Sequence, residues 1–229
     1  GATERLIAFG NNDRPGIMLA SAVRTYLNRF AVATGQRISV YTNNDDGWKT
    51  AKDLNAKGFR VAAVIDSRSI SPVMRVPGTE IYMGTDVVDT KGRRALKSIQ
   101  LSNGKSIDTD TLAVSGGWNP NLHFTCHHRG VPKWNEEIAS FVPDSSPPVG
   151  MSVAGRAKGT MVLADAIIEG HNQGSSVAAD LGYKISEYKP ASTPVVSYNI
   201  SANWGIPSGK NRAWVDFQKI GRATCRERV

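Results

Sequence analysis

The apolar run at residues 61–65, Val-Ala-Ala-Val-Ile, constrains the fold of this chain more than any other feature. It shows no alternation of apolar and polar residues, which is typical of a parallel strand covered on both faces of its sheet. A β-branched segment at 37–42 precedes it, followed by the polar loop 43–47 and a predicted helix at about 48–57 that Gly58 ends. The order strand, helix, strand predicts a βαβ unit.

A second amphipathic helix is predicted before this unit. Asp13 is its predicted N-cap, Pro15 lies in its first turn, where a missing N–H costs nothing, and Gly35 closes the segment. One apolar stripe follows the helical period: Ile17, Ala20, Val23, Leu27 and Phe30.

The middle of the chain carries antiparallel signals. A short strand is predicted around 80–83, and two more at 95–101 and 106–114. Asn103 and Gly104 lie between the last two strands, and Asn-Gly is the preferred pair of a type I′ turn because both central residues need positive φ. We therefore predict a β-hairpin here.

The second half of the chain completes the prediction of fold class. Residues 116–148 contain glycines and prolines that predict little regular structure, and a last helix is predicted over about 160–181. Gly170 and Gly174 inside that helix indicate a kink or close packing. The order of elements predicts an α/β, Rossmann-like dinucleotide-binding domain with an antiparallel insertion, plus the remnant of a second dinucleotide-binding domain.

Charge does not indicate a nucleic-acid partner. Lysine and arginine number 28 against 20 acidic residues, a net charge of +8, but the last eleven residues hold four basic residues and one acid. The rest of the chain is therefore only moderately basic. Five tryptophans are dispersed along the chain and do not form a stacking platform for single-stranded nucleic acid.

Cysteine usage and hydropathy favour a reducing, cytoplasmic setting without a membrane partner. Cys126 and Cys225 form no C-x-x-C pair. The longest apolar runs fall far short of the roughly 20 residues that a membrane span requires.

The loop after the first strand of the βαβ unit argues against a cofactor at that position. A dinucleotide-binding loop normally reads G-x-G-x-x-G, whereas residues 42–47 read Thr-Asn-Asn-Asp-Asp-Gly. Asp45 and Asp46 would repel a diphosphate there. Asp66 stands about 20 residues beyond, where an acid binds an adenosine ribose, but a strand-end cap is the favoured interpretation. Arg68 is interpreted as a solvated loop arginine rather than a 2′-phosphate ligand.

One cluster of metal-ligand residue types occurs: His123, Cys126, His127 and His128. Zinc requires three or four convergent ligands, and adjacent histidines on an extended segment point to opposite sides. A polar loop is therefore favoured over a metal site. No G-x-S-x-G, H-E-x-x-H or Walker sequence is present.

A better phosphate candidate is the segment 155–159, Gly-Arg-Ala-Lys-Gly, at the start of the last predicted helix. Two glycines, two cations and a helix N-terminus converge there. A tight strand-to-helix turn with exposed cations explains the same residues equally well.

Several stretches resemble known proteins. Residues 97–121 resemble the end of the second nucleotide domain in flavoproteins of the pyridine nucleotide-disulfide reductase type, with an Asn-Gly turn, an acidic pair before a strand, and glycine then Pro-Asn. Others resemble the alpha subunits of heterotetrameric sarcosine oxidases: 1–5, 11–20, 24–29, 41–45 (Tyr-Thr-Asn-Asn-Asp) and 116–120 (Gly-Gly-Trp-Asn-Pro). This resemblance covers about 1–218, and 213–218 is similar to the start of that family's folate-binding domain.

The resemblance implies oxidative demethylation of sarcosine to glycine, with hydrogen peroxide formed and the one-carbon unit passed to tetrahydrofolate. It implies NAD on the alpha subunit, FAD on the beta subunit, FMN between the two, and beta, gamma and delta subunits as partners. Thr-Asn-Asn-Asp in place of the glycine loop is usual in this family, whose NAD belongs to the first nucleotide domain. The resemblance and the glycine turn together imply a set of cofactor-binding residues: Gly1, Ala2, Ala154, Gly155 and Gly159. They imply no catalytic or metal-binding residue in this chain.

The resemblance also implies a division of the chain. Residues 1–34 are expected to be a crossover and helix of the first nucleotide domain, 35–115 the second nucleotide domain, and 116–185 the return to the first. A linker at 186–218 would lead to the folate domain, and 219–229, which fits nothing in the family, would be a non-native tail. The chain would then be an internal fragment, with the opening strand and glycine-rich loop of its first domain upstream of Gly1.

The sequence departs from the family pattern in two places, and two alternative functions remain open. His127-His128 replaces a run richer in Ser, Gln and Gly, and the tail matches nothing. A subunit of a related opine, proline or cyanide-forming amine dehydrogenase would share the same nucleotide domains but lack the folate domain. A non-catalytic binding or assembly module is the other alternative, which the missing glycine loop favours.

Overall fold

The computed structural model describes residues 1–70, 75–144, 147–185, 198–205 and 211–214. The chain divides into two compact units. The sheet unit comprises Glu4–Gly117 and Ile200–Val229, and the helix unit comprises Gly1–Thr3 and Trp118–Asn199. The predicted tail at 219–229 lies outside the described residues.

The regular elements follow in chain order. The strands are β1 Ala2–Glu4, β2 Ile17–Leu19, β3 Ile38–Thr42, β4 Val61–Asp66, β5 Glu80–Met83, β6 Val87–Lys91, β7 Ser98–Leu101, β8 Ser106–Asp108, β9 Thr111–Ser115, β10 Trp118–Pro120, β11 Lys133–Asn135 and β12 Ser140–Val142. The helices are α1 Ala20–Phe30, α2 Asp45–Ala56, α3 His123–His127 and α4 Leu163–Asp180, with a 3₁₀ turn at Gly155–Ala157.

The sheet unit is built on five parallel strands in the order β2-β9-β3-β4-β5. One face packs on α1 and α2 through Val23, Leu27, Trp48 and Leu54. The other face packs against a three-stranded antiparallel sheet, β6-β7-β8, where Ile99 is fully buried. With both faces covered, β3 and β9 are buried along their whole length. Strand β4, for which the unpatterned apolar run at 61–65 predicts burial on both faces, is buried except at the half-buried Ala62. The α/β class with an antiparallel insertion is confirmed.

The predicted helix start at Asp13 is wrong. Ile17–Leu19 forms an edge strand paired with Leu112–Val114, and α1 begins only at Ala20. A turn at Gly16, with φ of +106°, directs this apolar run onto the sheet, where its backbone N–H and C=O groups find partners. Both β2 and α1 belong to the sheet unit, whose first segment begins at Glu4.

The predicted hairpin between β7 and β8 is confirmed, but its turn type is wrong. Gly104 has φ of +84°, while Asn103 is not in the positive-φ region. The Asn103 side chain instead accepts a hydrogen bond from the Lys105 N–H at 3.0 Å. The strand predicted at 106–114 is also divided, since β8 joins the antiparallel sheet and β9 the parallel one. Strand β6 was not predicted.

The helix unit contains more regular structure than its sequence predicts. The hairpin of β11 and β12 and the short helix α3 lie within 116–148, which was predicted to be mostly irregular. The last helix is confirmed, although it begins at Leu163 rather than 160, and it runs through Gly170 and Gly174. None of its side chains is fully buried, and Leu163 and Leu181 at its ends are about 70% exposed.

Candidate functional site: the carboxyl edge of the parallel sheet

The order of strands identifies one edge of the sheet unit as the candidate ligand site. The chain leaves β3 towards β4 on one side, whereas β9 lies on the other side, with Thr42 and Ser115 in register at the carboxyl ends. In open parallel sheets, ligands bind outside the carboxyl ends of the strands where the strand order reverses. We call this region the switch-point edge.

The loop that leaves β3 keeps the spacing of a dinucleotide-binding loop but not its residues. Thr42, Asn44 and Gly47 stand where G-x-G-x-x-G has its three glycines. A β-carbon added to Gly47 would lie 2.4 Å from two atoms of the Thr42 side chain. The third glycine therefore retains its packing role between helix and strand, while the two that let a pyrophosphate approach are replaced.

The side chain of Asn44 forms hydrogen bonds with backbone groups at the start of α2 and at the end of β9. Its Oδ1 accepts from the N–H of Asp46 at 2.9 Å, which caps α2. Its Nδ2 donates to the Ser115 carbonyl at 2.9 Å, and the residue is fully buried. The start of α2 is therefore capped by the protein's own amide.

Asp66 and Arg68 form a buried ion cluster with Asp45. The Arg68 Nη2 lies 2.7 Å from Asp66 Oδ2, and its Nη1 lies 2.8 Å from Asp45 Oδ1. The indole Nε1 of Trp48 also donates to Asp66 Oδ2, at 2.7 Å. Burial alone would lower the pKa of Arg68, but the two carboxylates raise it above its ordinary value. The interpretation of Arg68 as a solvated arginine is wrong, since only 7% of it is exposed.

Asp66 fits its predicted structural role as a strand-end cap. Its Oδ1 accepts from the Arg68 N–H at 2.9 Å. Its other oxygen is occupied by Trp48 and Arg68, so both carboxylate oxygens point into the protein. The ion cluster and the cap thus share one carboxylate.

Residues 200–205 lie across the switch-point edge. The Ser201 N–H donates to the Asn43 carbonyl at 2.9 Å, and Asn43 Nδ2 donates to the carbonyls of Ser201 and Asn203, each at 2.9 Å. The Trp204 Nε1 donates to the Gly116 carbonyl at 2.6 Å. These residues lie within the predicted linker 186–218, and their hydrogen bonds attach them to the sheet unit.

Glu4 lies at the same edge of the sheet, between α1 and the end of β9. Its carboxylate accepts from the Ser21 N–H and from the Ser115 hydroxyl, both at 2.7 Å. Only 3% of the residue is exposed, and burial raises the pKa of Glu4 despite these hydrogen bonds. A buried carboxylate therefore lies at the first turn of α1, and sequence reasoning missed it.

The predicted glycine turn lies in the helix unit. Gly155 and Gly159 have φ of +63° and +105°, and a β-carbon on Gly159 would lie 2.7 Å from Val142 Cγ1. The Gly155 N–H donates to Glu169 Oε2 at 2.8 Å, and the Thr160 hydroxyl donates to the same oxygen at 2.7 Å. These donors and Lys158 outweigh partial burial and lower the pKa of Glu169. The turn thus already binds a carboxylate.

The other predicted cofactor residues also lie in the helix unit. The Gly1 carbonyl accepts from the Asn121 N–H at 2.9 Å, and Ala2 begins β1. Ala154 has an extended backbone and immediately precedes the 3₁₀ turn, in which the Arg156 guanidinium lies 4.3 Å from the ring centre of Trp118. The five predicted residues therefore belong to one unit.

The histidine cluster lies on α3 and just after it, not on an extended segment as expected. His123, Cys126, His127 and His128 are exposed, and the rings of His127 and His128 are 6.0 Å apart. Within the described ranges, no three His, Cys, Asp or Glu residues are arranged to hold a metal ion. No helix in the same ranges is long and apolar enough to cross a membrane.

Comparison with known proteins finds related sequences. The chain is 36% identical over 95% of its length to the sarcosine oxidase subunit alpha of Rhizobium meliloti (strain 1021), and 35% identical over 91% to that of Corynebacterium sp. (strain P-1). It spans 22% and 23% of those two relatives, respectively. No family model matches the chain.

Solved structures share the fold. The L-proline dehydrogenase of P. horikoshii matches 81% of this chain and 34% of its own, with a TM-score of 0.64 and 19% identity. The thioredoxin reductase of T. acidophilum matches 79% of this chain and 64% of its own, with a TM-score of 0.60 and 16% identity. Both likenesses concern the fold alone.

Proposed function

From its relationship to the sarcosine oxidase alpha subunits over nine-tenths of its length, we propose that this chain is a segment of such a subunit and serves an oxidoreductase. The chain spans about a fifth of those relatives, so the reaction belongs to the longer protein. That reaction is the oxidative demethylation of sarcosine to glycine, forming hydrogen peroxide and transferring the one-carbon unit to tetrahydrofolate. The sequence relationship is the observation that carries this proposal.

In this proposal the helix unit supplies one side of the NAD site, through Gly1, Ala2, Ala154, Gly155 and Gly159. The observation in favour is that the Gly155 turn already presents its donors to an anion, the carboxylate of Glu169. A pyrophosphate would replace that carboxylate. FAD, FMN and tetrahydrofolate bind elsewhere in the assembled protein, and the catalytic residues lie outside this chain.

The partners in this proposal are the beta, gamma and delta subunits and a small amine substrate, in the cytoplasm. The support is the name of the relatives, each of which is one subunit of an oxidase. Neither a nucleic acid nor a membrane is part of the proposal.

The NAD assignment is tested by Gly155→Val in the full-length protein. A β-branched residue is strained at φ of +63° and should displace the turn, weakening NAD binding. Gly170→Ala is the matched control, because Gly170 is in the same unit with no atom near its added β-carbon. Unchanged NAD affinity in Gly155→Val would refute the assignment.

A related amine dehydrogenase is the second candidate, favoured by the fold shared with L-proline dehydrogenase. The full-length protein should then oxidise proline or an opine, and its gene should encode no folate domain downstream. Peroxide formation with sarcosine, stimulated by tetrahydrofolate, would favour the first proposal instead.

An assembly module without catalysis is the third candidate, favoured by the closed switch-point edge. It predicts that a full-length protein with intact subunits does not bind NAD. A fluorescence titration with NAD distinguishes it from both enzymes.

A further inference from the structure

The ion cluster at the switch-point edge contains one more carboxylate than a simple salt bridge. Two carboxylates, those of Asp45 and Asp66, meet one guanidinium, that of Arg68, and all three side chains are at most 6% exposed. Buried carboxylates are costly unless each is paired and hydrogen-bonded. The arrangement therefore depends on the cation between them.

The contacts match the shape of a guanidinium as well as its charge. Arg68 Nε donates to both oxygens of Asp66, at 3.0 and 3.2 Å, and Nη2 donates to Oδ2 at 2.7 Å. Nη1 donates to Asp45 Oδ1 at 2.8 Å, so a second edge of the planar group is also used. A planar fork of donors can serve two carboxylates in this way, whereas an ammonium ion acts as a point charge.

The cluster joins the same elements that a dinucleotide joins in related folds. Asp45 is the first residue of α2 and Asp66 the last of β4, so the guanidinium links the β3–α2 turn to the end of the second strand. In a dinucleotide-binding domain, pyrophosphate lies at the first position and the adenosine ribose at the second. Here the two carboxylates favour a cation over a phosphate.

We propose that the switch-point edge contains a guanidinium-binding site, formed by Asp45 and Asp66 and occupied by the protein's own Arg68. Arg68 is thus an internal ligand that holds β3, α2 and β4 together where related folds use the adenosine half of a dinucleotide. This site does not depend on the proposed enzymatic function, because the contacts that define it lie within this chain.

The test is rescue of Arg68→Ala in the intact chain by millimolar methylguanidinium. Removal of the cation should lower the thermal unfolding midpoint by roughly 10 °C, since it takes the guanidinium away from two buried carboxylates. Methylguanidinium should restore much of this loss in Arg68→Ala but not alter the wild type or Arg60→Ala, which removes an exposed cation. The indole N–H signal of Trp48, which donates to Asp66, should shift in the variant and return towards its wild-type position with methylguanidinium.

Further experiments decide whether the proposal holds. Sodium chloride of equal ionic strength should not rescue, and adding Asp45→Asn to Arg68→Ala should weaken the rescue by removing half of the site. If Arg68→Ala does not fold alone, it should fold when methylguanidinium is present during refolding, and Arg68→Lys should fold without responding to it. Absence of rescue, or equal rescue by salt, would overturn the proposal. A larger stabilisation of Arg68→Ala by ADP or NAD than by methylguanidinium would also overturn it, by identifying a nucleotide site.

Discussion

Gly47 lies so close to Thr42 that a β-carbon added to the glycine would come within 2.4 Å of both Cβ and Oγ1 of the threonine. The contact joins the first turn of α2 to the carboxyl end of β3. The single glycine of the loop is therefore required by helix–strand packing and gives no evidence of a bound phosphate.

Gly47→Ala should lower the free energy of unfolding by about 1–3 kcal/mol, because the helix must move away from the strand. Gly170→Ala, in an exposed part of α4 with no nearby atom, should be neutral or stabilise by up to about 1 kcal/mol. Urea denaturation of both variants measures the difference. Equal stability of the two would contradict the packing role of Gly47.

Local sequence signals predicted the framework of the sheet unit correctly. The apolar run before Asp66 and the Asn103-Gly104 pair each act over a few residues, so strand β4 and the β7–β8 hairpin could be anticipated. Periodicity failed at Ile17–Leu19, because an apolar run of three residues satisfies a strand or a helix equally and pairing with β9 decided between them.

The chemistry at the switch-point edge depends on contacts that no local pattern encodes. Arg68 reaches Asp45 across 23 residues, and Asn43 binds Ser201 across 158. The charge of the loop predicts that a diphosphate is disfavoured there. It did not predict that Arg68 is buried, because an arginine in a loop is usually solvated.

Glu4 should make the stability of the chain depend on pH. Burial raises the pKa of Glu4 above its ordinary value of 4.5, so the folded chain binds this proton more tightly than the unfolded chain. Its contribution to stability is therefore greatest at low pH and is lost as the pH rises from the ordinary value through the raised one. A glutamine avoids this loss and can still accept from the Ser21 N–H and donate to the Ser115 hydroxyl.

The unfolding midpoint of Glu4→Gln relative to wild type should therefore increase as the pH rises above 4.5, the ordinary pKa of a glutamate. Thermal unfolding followed by circular dichroism at several pH values measures this difference. Glu137→Gln, at an exposed position, is the control, and its unfolding midpoint should differ from that of the wild type by the same amount at every pH. A constant difference for Glu4→Gln would show that Glu4 carries no such linkage.

Asp45→Asn should separate stability from cofactor binding. The change removes one of the two charged partners of Arg68 and should cost about 3 kcal/mol of stability, whereas Asp108→Asn, in an exposed pair with Arg37, should cost less than about 1 kcal/mol. NAD affinity of the full-length Asp45→Asn protein should be unchanged, because this loop does not contact the cofactor in our proposal. A tenfold loss of affinity, about 1.4 kcal/mol, would contradict that view.

The isolated 229-residue chain should neither oxidise sarcosine nor bind NAD tightly. It spans about a fifth of its relatives, and its turn at Gly155 already binds the carboxylate of Glu169. One side of a site cannot offset the ordering cost of association, so most of the binding energy should be missing. The exposed apolar side chains of α4, including Leu163 and Ile168, should also favour self-association of the isolated chain.

Three measurements on the purified chain check these expectations. A cooperative thermal transition should show that the sheet unit is folded, which makes the other two results interpretable. A peroxide assay with sarcosine and tetrahydrofolate should then give no turnover, while the full-length protein with its partner subunits serves as the positive control. Calorimetric titration should detect no micromolar NAD binding, about −8 kcal/mol. Turnover or micromolar binding by the chain alone would mean that it contains a complete site, and the assignment of the remaining NAD contacts to other parts of the longer protein would be wrong.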